Sequence, residues 1–489
     1  MMINIESLKR HILSLALEGK LTEQLASDGD SKLIVAESAR KKQEFLKLKK
    51  IELNEPEEED KVFSIPASWN WVKLSNISQI ESGGTPSRSE KKYWNGTIPW
   101  LKIGDLNSKR ITKSSEYITE LGLNNSSARI FKKGTILYTI FATIGVVSVL
   151  DIDASTNQAI AGLTFFGNID RDYLYYVLVG LKDILVGKSH GMTQSNINLT
   201  ILKNIFIPMP PLEEQKRIVA KLDEIFAELD KIDEKQTRLA AIQEKMEAKI
   251  LKLAIQGKLV EQRPEEGTGE ELFKLIQEEK QELIKQGKIK KEKTLPAIEE
   301  DEVPFEIPST WKWVRLGNLG DNVPYPFADG PFGSNLKREH YTKEKQVRII
   351  QLSNVGESGW KGENEKYTTF AHLETIARSE VNNGDIVIAK MMPAGRAIIV
   401  PDLKCKFVLS SDCVKFTPNS RLEKEYLYYV INSDPFKKQV LSETNGIGRE
   451  RTSLSKLKEY LIPLPPLEEQ KRIVAKIEQL LPLCRGNKI

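Results

Sequence analysis

The chain contains the same sequence segments twice, in the same order. Four pairs match: IPMPPLEEQKRIVAK at 207–221 with IPLPPLEEQKRIVAK at 462–476, IPASWNWVKL at 65–74 with IPSTWKWVRL at 307–316, LALEGKL at 15–21 with LAIQGKL at 253–259, and YLYY at 173–176 with YLYY at 426–429. Four matches in one order indicate a duplicated structural unit. At 489 residues the chain is long enough for two such units, each with its own core.

Each repeat runs from a helix end through a charged linker and a globular segment to a proline-rich hinge and a helix start. The linkers at 47–61 and 288–302 both pass from basic to acidic residues, as solvated connectors do. The predicted organisation is an N-terminal helix (1–25), a charged linker (26–61), a first globular domain (62–206), a central helix (207–257), a charged helical linker (258–303), a second globular domain (304–461) and a C-terminal helix (462–489).

The segment after the first hinge is predicted to form one long helix. Pro210 and Pro211 precede acidic residues, which is typical of a helix start, and Gly257 is a typical helix end. Between them, eleven positions spaced alternately by four and three residues form a coiled-coil seam, and nine are apolar: Ile218, Leu222, Ile225, Leu229, Ile232, Gln236, Leu239, Gln243, Met246, Ile250 and Leu253. A helix of about 48 residues would span roughly 70 Å.

The duplication also predicts the partner of this helix. Residues near the chain ends match the two halves of the seam: Ile473, Ile477 and Leu480 match the first half, and Leu8, Ile12 and Leu15 match the second. We expect both ends to meet and to pair antiparallel with the central helix, giving an internal pseudo-twofold. Gln236 and Gln243 either lie where the two partner pieces abut or only set the register. Pro482 and Gly486 break helices, so the C-terminal helix should be shorter than the central one.

The two globular segments are predicted to be α+β domains with mainly antiparallel strands. Short β-branched runs, such as 134–140 and 384–389, alternate with helical stretches and Ser/Gly/Asn loops. The frame agrees between the copies but the loops differ: ESGGTPSRSEKKYW (81–94) corresponds to DGPFGSNLKREHY (329–341), and GKSHGMTQSN (187–196) to TNGIGRERTS (444–453). Two modules that read different versions of one kind of ligand would show this pattern, and ordinary surface loops are the alternative.

The sequence contains no recognisable catalytic or metal-binding motif. The segment 180–189 resembles a phosphate loop, but six residues rather than four separate its glycines. Four histidines show no HExxH spacing, and three cysteines form neither a CxxC pair nor a disulfide framework. No run approaches the ~20 apolar residues of a membrane span, and the charged N-terminus is unlike a secretory signal. We therefore expect a non-catalytic cytoplasmic protein without a metal.

Basic residues are concentrated in the globular segments, although the net charge of the chain is only +4. Residues 61–208 carry 16 basic and 10 acidic side chains, and residues 303–463 carry 23 and 19. Nucleic-acid binding depends on local basic patches rather than on the charge of the whole chain. This distribution is compatible with nucleic-acid binding but does not by itself require it.

The whole chain resembles the specificity (S) subunit of type I restriction–modification enzymes. The resemblance rests on the duplicated PLEEQKRIV hinge, the long heptad helix and the paired Trp-x-Trp entries at 69–71 and 311–313. GGTPSR with the following Tyr-Trp, and DGPFGSNLK, are similar to segments of that family's target-recognition domains. The resemblance implies that 62–206 and 304–461 each read one half of a bipartite DNA target, while the helices fix the gap between the halves.

The same resemblance implies partners and cofactors. The helices would dock two modification subunits, which bind S-adenosylmethionine and methylate adenine, and two restriction subunits would add ATP-driven translocation and DNA cleavage. No cofactor is then expected in this chain, because S-adenosylmethionine, ATP and Mg would belong to the partner subunits. Two other functions stay open: a stand-alone DNA-binding regulator, and a protein-scaffolding rod whose two domains bind polypeptide.

Loop position and side-chain type select the candidate DNA-contact residues. Arg and Lys suit phosphate and guanine, whereas Gln and Asn suit adenine. The first module offers Thr85, Ser87, Arg88, Lys91, Lys92, Lys102, Lys188, Gln194 and Ser195. The second module offers Ser334, Asn335, Lys337, Arg338, Gln351, Arg396, Arg449 and Arg451.

Overall fold

The computed structural model describes residues 3–48, 51, 53, 56–57, 61–141, 143–182, 198–291, 293–391, 394–442 and 452–485. The chain divides into two compact units, Met1–Thr237 and Arg238–Ile489, and the boundary falls inside the central helix. Each unit has its own large apolar core. This division agrees with the duplication in the sequence.

Unit 1 is an α+β domain whose core is closed by helices. Its elements are α1 (Ile5–Leu17), α2 (Lys32–Leu46), β1 (Asn70–Lys73), α3 (Leu74–Ile77), β2 (Ser78–Ser82), β3 (Trp94–Leu101), β4 (Arg110–Ile111), β5 (Glu116–Ile118), α4 (Glu120–Asn124), β6 (Ile136–Thr139), β7 (Val147–Leu150), β8 (Ser155–Thr156), β9 (Ile160–Phe165), α5 (Arg171–Gly180), α6 (Leu199–Asn204), β10 (Phe206–Met209) and the first part of α7 (Leu212–Ile255). The strands form sheets in the orders β2-β9-β6-β7-β4, β5-β3-β8 and β1-β10.

Unit 2 repeats this plan after the second part of α7. Its further elements are α8 (Gly269–Lys285), β11 (Lys312–Arg315), β12 (Phe327–Asp329), β13 (Val347–Ile350), β14 (Val355–Gly356), β15 (Gly359–Trp360), β16 (Tyr367–Thr368), α9 (Phe370–Thr375), β17 (Glu380–Val381), β18 (Ile386–Ala389), β19 (Ala397–Ile399), β20 (Lys406–Leu409), β21 (Cys413–Phe416), α10 (Lys424–Asn432), α11 (Asp434–Ser442), α12 (Leu454–Glu459), β22 (Leu461–Leu464) and α13 (Leu467–Arg485). The order β12-β21-β18-β19 corresponds to β2-β9-β6-β7 of unit 1.

The strands are mainly antiparallel, as the sequence predicts, but each unit also contains parallel pairing. β3 pairs parallel with β8, β4 with β7, and β13 with β20. The central strands β6 and β18 are buried at every residue, which explains their nearly continuous apolar runs. The α+β fold class is confirmed, with mixed rather than purely antiparallel sheets.

The segment predicted as a charged linker at 26–61 contains a helix, α2. Val35, Ser38 and Ala39 form its buried face at helical spacing, and Lys42 donates from Nζ to the carbonyl of Ser75. The many charges of this segment hide the narrow apolar face in the sequence. In the second linker, α8 places Leu272 and Ile276 in the core of unit 2.

The central helix α7 has 44 residues, and its seam is buried mainly toward its two ends. Ile218, Leu222 and Leu229 are buried in unit 1, and Ile250 and Leu253 are half-buried in unit 2. Four predicted seam residues are instead exposed, by 36, 37, 55 and 49%: Leu8, Ile232, Leu239 and Met246. The two helices predicted to pair with α7 are much shorter than it is, since α1 has 13 residues and α13 has 19.

Within unit 1, α1 runs antiparallel to α7. Lys9 forms a 2.5 Å ion pair with Asp230, and the Gln236 side chain binds both backbone groups of Ile3, at 2.6 and 3.2 Å. Gln236 therefore lies opposite the start of the N-terminal helix. This contact supports the interpretation that Gln236 marks the level of the seam at which one partner piece, the N-terminal helix, begins.

The C-terminal helix packs in the core of unit 2 through Ile473 and Ile477, both fully buried, while Leu480 is half-buried. It is shorter than α7, as predicted, but it continues through Pro482 to Arg485. The prediction that Pro482 breaks the helix is wrong. Proline removes one helical N–H donor and disturbs the turn before it. Because only about one turn of helix follows Pro482, few backbone hydrogen bonds are affected.

Each hinge is held by one arrangement of buried hydrogen bonds, which we call the hinge seat. In unit 1 the Glu214 carboxylate accepts from the indole N–H of Trp69 at 2.8 Å and from the amide of Gln24 at 2.6 Å. Gln215 and Tyr173 donate to carbonyls of the proline hinge, both at 2.9 Å. These contacts attach the globular segment to the first turn of α7.

The hinge seat of unit 2 consists of the matching residues of the repeat. Glu469 accepts from Trp311 at 2.9 Å and from Gln262 at 2.6 Å, and Gln470 and Tyr426 donate to hinge carbonyls at 2.9 and 2.8 Å. The PPLEEQ motif is thus explained as a structural joint, because its Glu and Gln side chains make the buried bonds that fix each module to its helix.

Candidate nucleic-acid interface

The predicted contact loops of both units leave the sheet at equivalent points. Gly83 follows β2 and Gly330 follows β12. A Cβ on Gly83 would lie 2.2 Å from the carbonyl of Thr156, and one on Gly330 would lie 1.8 Å from that of Ser410. Only glycine fits at this close backbone approach. The loops that carry the candidate residues therefore begin from the same fixed position in each unit.

In unit 1, Arg88 contacts two aromatic rings and a carboxylate. Its guanidinium lies 3.7 Å from the ring centre of Trp94 and 4.9 Å from that of Trp100, and Nη1 donates to Glu116 at 2.5 Å. The other oxygen of Glu116 accepts from Lys102 Nζ at 2.9 Å. We call these five residues the arginine cage. It brings together Arg88 and Lys102, two of the residues predicted from the sequence.

The arginine cage is built on β3 and β5, which place Trp100 directly opposite Glu116 in an antiparallel register. The indole N–H groups of Trp94 and Trp100 donate to the carbonyls of Ser87 and Gly84, at 3.0 and 2.9 Å, so the loop that carries Arg88 is bound to the strand. The hydrogen bond from Arg88, followed by that from Lys102, lowers the pKa of Glu116, although burial opposes the shift. Glu116 is therefore ionised at neutral pH.

The other candidates of unit 1 lie around this cage or outside the described residues. Thr85 donates to Gln158 at 2.5 Å, and the Ser87 hydroxyl bonds that of Ser89 at 2.8 Å. Lys91 and Lys92 are exposed in a short 3₁₀ turn before β3. Lys188, Gln194 and Ser195 lie outside the described residues.

In unit 2, His340 of the corresponding turn stacks on His372 of α9. The rings of His340 and His372 are 4.1 Å apart and nearly parallel. His340 Nδ1 accepts from the backbone N–H of Lys337 at 3.0 Å, and a His372 ring nitrogen lies 2.9 Å from the carbonyl of Asn335. The two histidines thereby bind the backbone at Asn335 and Lys337, and Ser334 and Arg338 lie on the same short stretch of loop.

Gln351 occupies the same structural position as Lys102. Each precedes a 3₁₀ turn, and its backbone N–H donates to the side chain three residues later, Asp105 or Asn354, at 2.9 or 3.0 Å. The candidate positions thus carry different chemistry on one frame. Arg396 differs from expectation, because its side chain is only 16% exposed, with Glu357 at 4.0 Å. Arg449 and Arg451 lie outside the described residues.

Sequence reasoning missed two features of this candidate interface. Glu116 lies 28 residues from Arg88, and only the pairing of β3 with β5 brings it into contact. In unit 2, the ammonium of the buried residue Lys390 forms a 2.5 Å ion pair with Asp329 and lies 4.8 Å from the ring centre of exposed Phe332. An apolar run before Lys390 marks its strand, but nothing in the sequence indicates these partners.

The middle of the central helix carries an exposed apolar stripe. Leu239, Ile242 and Met246 are exposed by 55, 44 and 49%, next to many charged residues. Contiguous exposed apolar residues on an otherwise charged helix are typical of a protein-binding face. Separately, no helix within the described ranges is both long and apolar enough to cross a membrane. The described residues also contain no group of three or more His, Cys, Asp or Glu side chains that could hold a metal ion.

Two α+β units of one plan, each joined through a hinge seat to the first turn of the helix that follows it, define a protein with two matched modules. The family model for the type I restriction modification DNA specificity domain matches residues 66–243 and 331–485, which together make up more than half of the chain. The chain therefore belongs to this family. The family predicted from the duplicated hinge and the Trp-x-Trp entries is thus confirmed.

Several proteins of this family resemble the chain over most of its length. The type I restriction enzyme EcoAI specificity subunit of Escherichia coli is 28% identical, over 98% of this chain and 89% of that protein. The MjaIX specificity subunit of Methanocaldococcus jannaschii is 26% identical, over 83% and 85%. A chain solved in work on assembly and conformational transition of the type I R-M system has a TM-score of 0.57 at 17% identity, covering 86% of this chain and 92% of that one, and shares the fold.

Proposed function

We propose that this chain is the DNA sequence-recognition subunit of a type I restriction–modification complex. Each unit would read one half of a bipartite target, and the helices would set the distance between the two halves. The observation that carries this proposal is the contrast between two matching hinge seats and two different loop surfaces. Modules that share a frame but differ in their polar side chains suit two different base sequences in one kind of ligand.

The proposed partners are duplex DNA, two modification (methyltransferase) subunits and two restriction subunits. The exposed stripe of Leu239, Ile242 and Met246 supports docking of a protein on the central helix, because such residues are usually covered in an assembly. In this proposal the chain performs no chemistry. S-adenosylmethionine would be bound by the modification subunits, ATP and Mg would be bound by the other partners, and the assembly would work in the cytoplasm.

Exchange of one module tests the proposal. Residues 62–206 are replaced by the matching segment of another family member, and methylated adenines are mapped across the genome of cells that carry the complete gene set. We expect one half of the target to change while the other half and the spacing stay the same. The matched control replaces 304–461 and should change only the other half. A change of both halves by either exchange would contradict modular reading.

Two binding measurements separate this function from the alternatives. Affinity for duplex DNA that falls steeply with salt is expected for a DNA reader and not for a scaffold that binds polypeptide. Co-purification with a methyltransferase subunit is expected for a subunit of the complex and not for a stand-alone regulator. Substitution of Leu239 and Met246 by Glu should abolish that co-purification and leave the affinity for DNA unchanged.

A further inference from the structure

The arginine cage holds an exposed cation in one orientation. The side chains of Arg88 and Lys102 are 55 and 47% exposed, yet both bind the same carboxylate, and the guanidinium stacks on Trp94. An exposed arginine is normally free to sample many rotamers, and fixing it costs conformational entropy. In this cage the orienting contacts already exist before any ligand arrives. A ligand that binds the remaining guanidinium donors therefore meets a preorganised group.

The charge of Glu116 also affects which ligand the cage favours. Two free cations at this position would be attracted to any phosphate of any sequence. A carboxylate bonded to both of them reduces that attraction and repels phosphate oxygens. Neutral acceptors are not repelled in this way. Guanine presents two such acceptors, O6 and N7, at the spacing that a planar guanidinium matches.

We propose that Arg88 reads a guanine in the half-site of the first module and that Glu116 is the positioning residue that directs Arg88 to the base instead of the phosphate backbone. This inference rests on the proposed function, since it names one contact of the same interface. Unit 2 carries Gln351 at the position of Lys102 and a stack of His340 and His372 in place of the arginine cage, so the requirement for this guanine belongs to the first half-site alone.

A purely structural role for the cage is the competing explanation. Arginine–tryptophan stacking and a carboxylate bond would then only stabilise the loop. Such a role predicts a loss of stability without any change in the bases that are recognised. The base preference at one position therefore separates the two explanations.

The test maps methylated adenines in cells that express the complete gene set with the full chain as wild type, Glu116→Gln, Arg88→Lys or Glu120→Gln. Glu120 is an exposed residue in the first turn of α4, so its substitution removes the same charge without removing a cage contact. We expect wild type and Glu120→Gln to require a G·C pair at one position of one half-site. With Glu116→Gln and Arg88→Lys the preference at that pair should fall by about tenfold, and the other half-site should be unchanged.

The outcomes distinguish the two proposals. If wild type shows no bipartite motif, the proposed function itself fails. If wild type shows the motif but both cage variants keep every position of it, Arg88 and Glu116 do not read a base and the inference is overturned. Should Glu116→Gln abolish methylation through misfolding, Arg88→Lys decides, because it keeps the charge and removes only the planar fork.

Discussion

The hinge seats and the loop surfaces of the two units show opposite degrees of similarity. Corresponding hydrogen bonds of the two seats differ by at most 0.1 Å, as between Trp69–Glu214 at 2.8 Å and Trp311–Glu469 at 2.9 Å. At the loops, by contrast, one unit has an arginine cage and the other a stack of two histidines. Buried polar groups tolerate little change because each needs its partner, whereas exposed groups are free to vary. The loop surfaces can therefore vary between the units while the hinge seats stay the same.

The largest effect on stability is expected when the buried indole is removed from each hinge seat. Trp69→Ala and Trp311→Ala should each lower the free energy of unfolding of their own unit by about 3–5 kcal/mol, since each leaves a cavity and removes one of the two donors to a buried Glu carboxylate. Urea titration followed by circular dichroism measures the loss. Leu33→Ala, at a side chain that is 79% exposed, is the control and should change little. Strongly unequal losses in the two units would show that the seats are not equivalent.

A smaller change removes one hydroxyl from each seat. Tyr173→Phe and Tyr426→Phe keep the buried ring but leave a hinge carbonyl without its donor, which should cost about 1–3 kcal/mol in either unit. Thermal unfolding of the full chain measures the effect. Tyr117→Phe, at an exposed tyrosine of β5, is the matched control. A cost confined to one unit would contradict the equivalence.

The pH dependence of the seat should also be the same in both units. Burial raises the pKa of Glu214 and of Glu469 above the ordinary value of 4.5, although the tryptophan hydrogen bond opposes the shift. A carboxyl group whose pKa is higher in the folded state than in the unfolded state stabilises the folded state. This stabilisation is fully present at pH values below the unfolded-state pKa and is lost as the pH rises through the folded-state pKa. The destabilisation caused by Glu214→Gln or Glu469→Gln should therefore be larger at pH 4 than at pH 7. Urea titrations of the wild type and the variants at both pH values measure this destabilisation. An equal destabilisation at pH 4 and pH 7 would contradict the assignment.

The smallest expected effect comes from exchanging the residues at one matched loop position. Lys102→Gln should weaken binding of duplex DNA and reduce the slope of log affinity against log salt by at most about one, because one cation is lost whose charge Glu116 already offsets in part. Gln351→Lys should increase the slope by a similar amount. Neither change should alter stability by more than about 0.5 kcal/mol, since Lys102 is exposed and Gln351 is only half-buried. Filter-binding titrations at several salt concentrations measure the slopes, and two unchanged slopes would place this position away from DNA.

The frame could be predicted from the sequence because it repeats. The duplicated hinge located both modules, and the heptads of Ile218 to Leu253 located the central helix. The extent of seam burial could not be predicted, because heptads state which face is apolar and not how far a partner reaches along it. Leu239 and Met246 are exposed for that reason. The helix α2 was missed because three small buried residues lie among many charged ones.

The arrangement of the loop surfaces could be predicted only in part, and their contact with DNA stays a prediction. Arg88 and Lys102 could be selected by their loop position and charge, but their common partner Glu116 could not, because it meets them through pairing of distant strands. Arg396 shows the opposite error. Its sequence neighbourhood resembles a glycine loop, yet neighbouring elements of unit 2 cover most of its side chain. Charge and loop propensity are local properties, while exposure depends on the complete fold.

The position of α13 has a consequence for protein synthesis. Ile473 and Ile477 are fully buried in the core of unit 2, and Glu469 of the same helix completes its hinge seat. During translation this helix leaves the ribosome after the other described elements of that unit. The second core cannot close until then, so a nascent chain halted before residue 467 would carry a complete first module and a second module that lacks its hinge seat and part of its core.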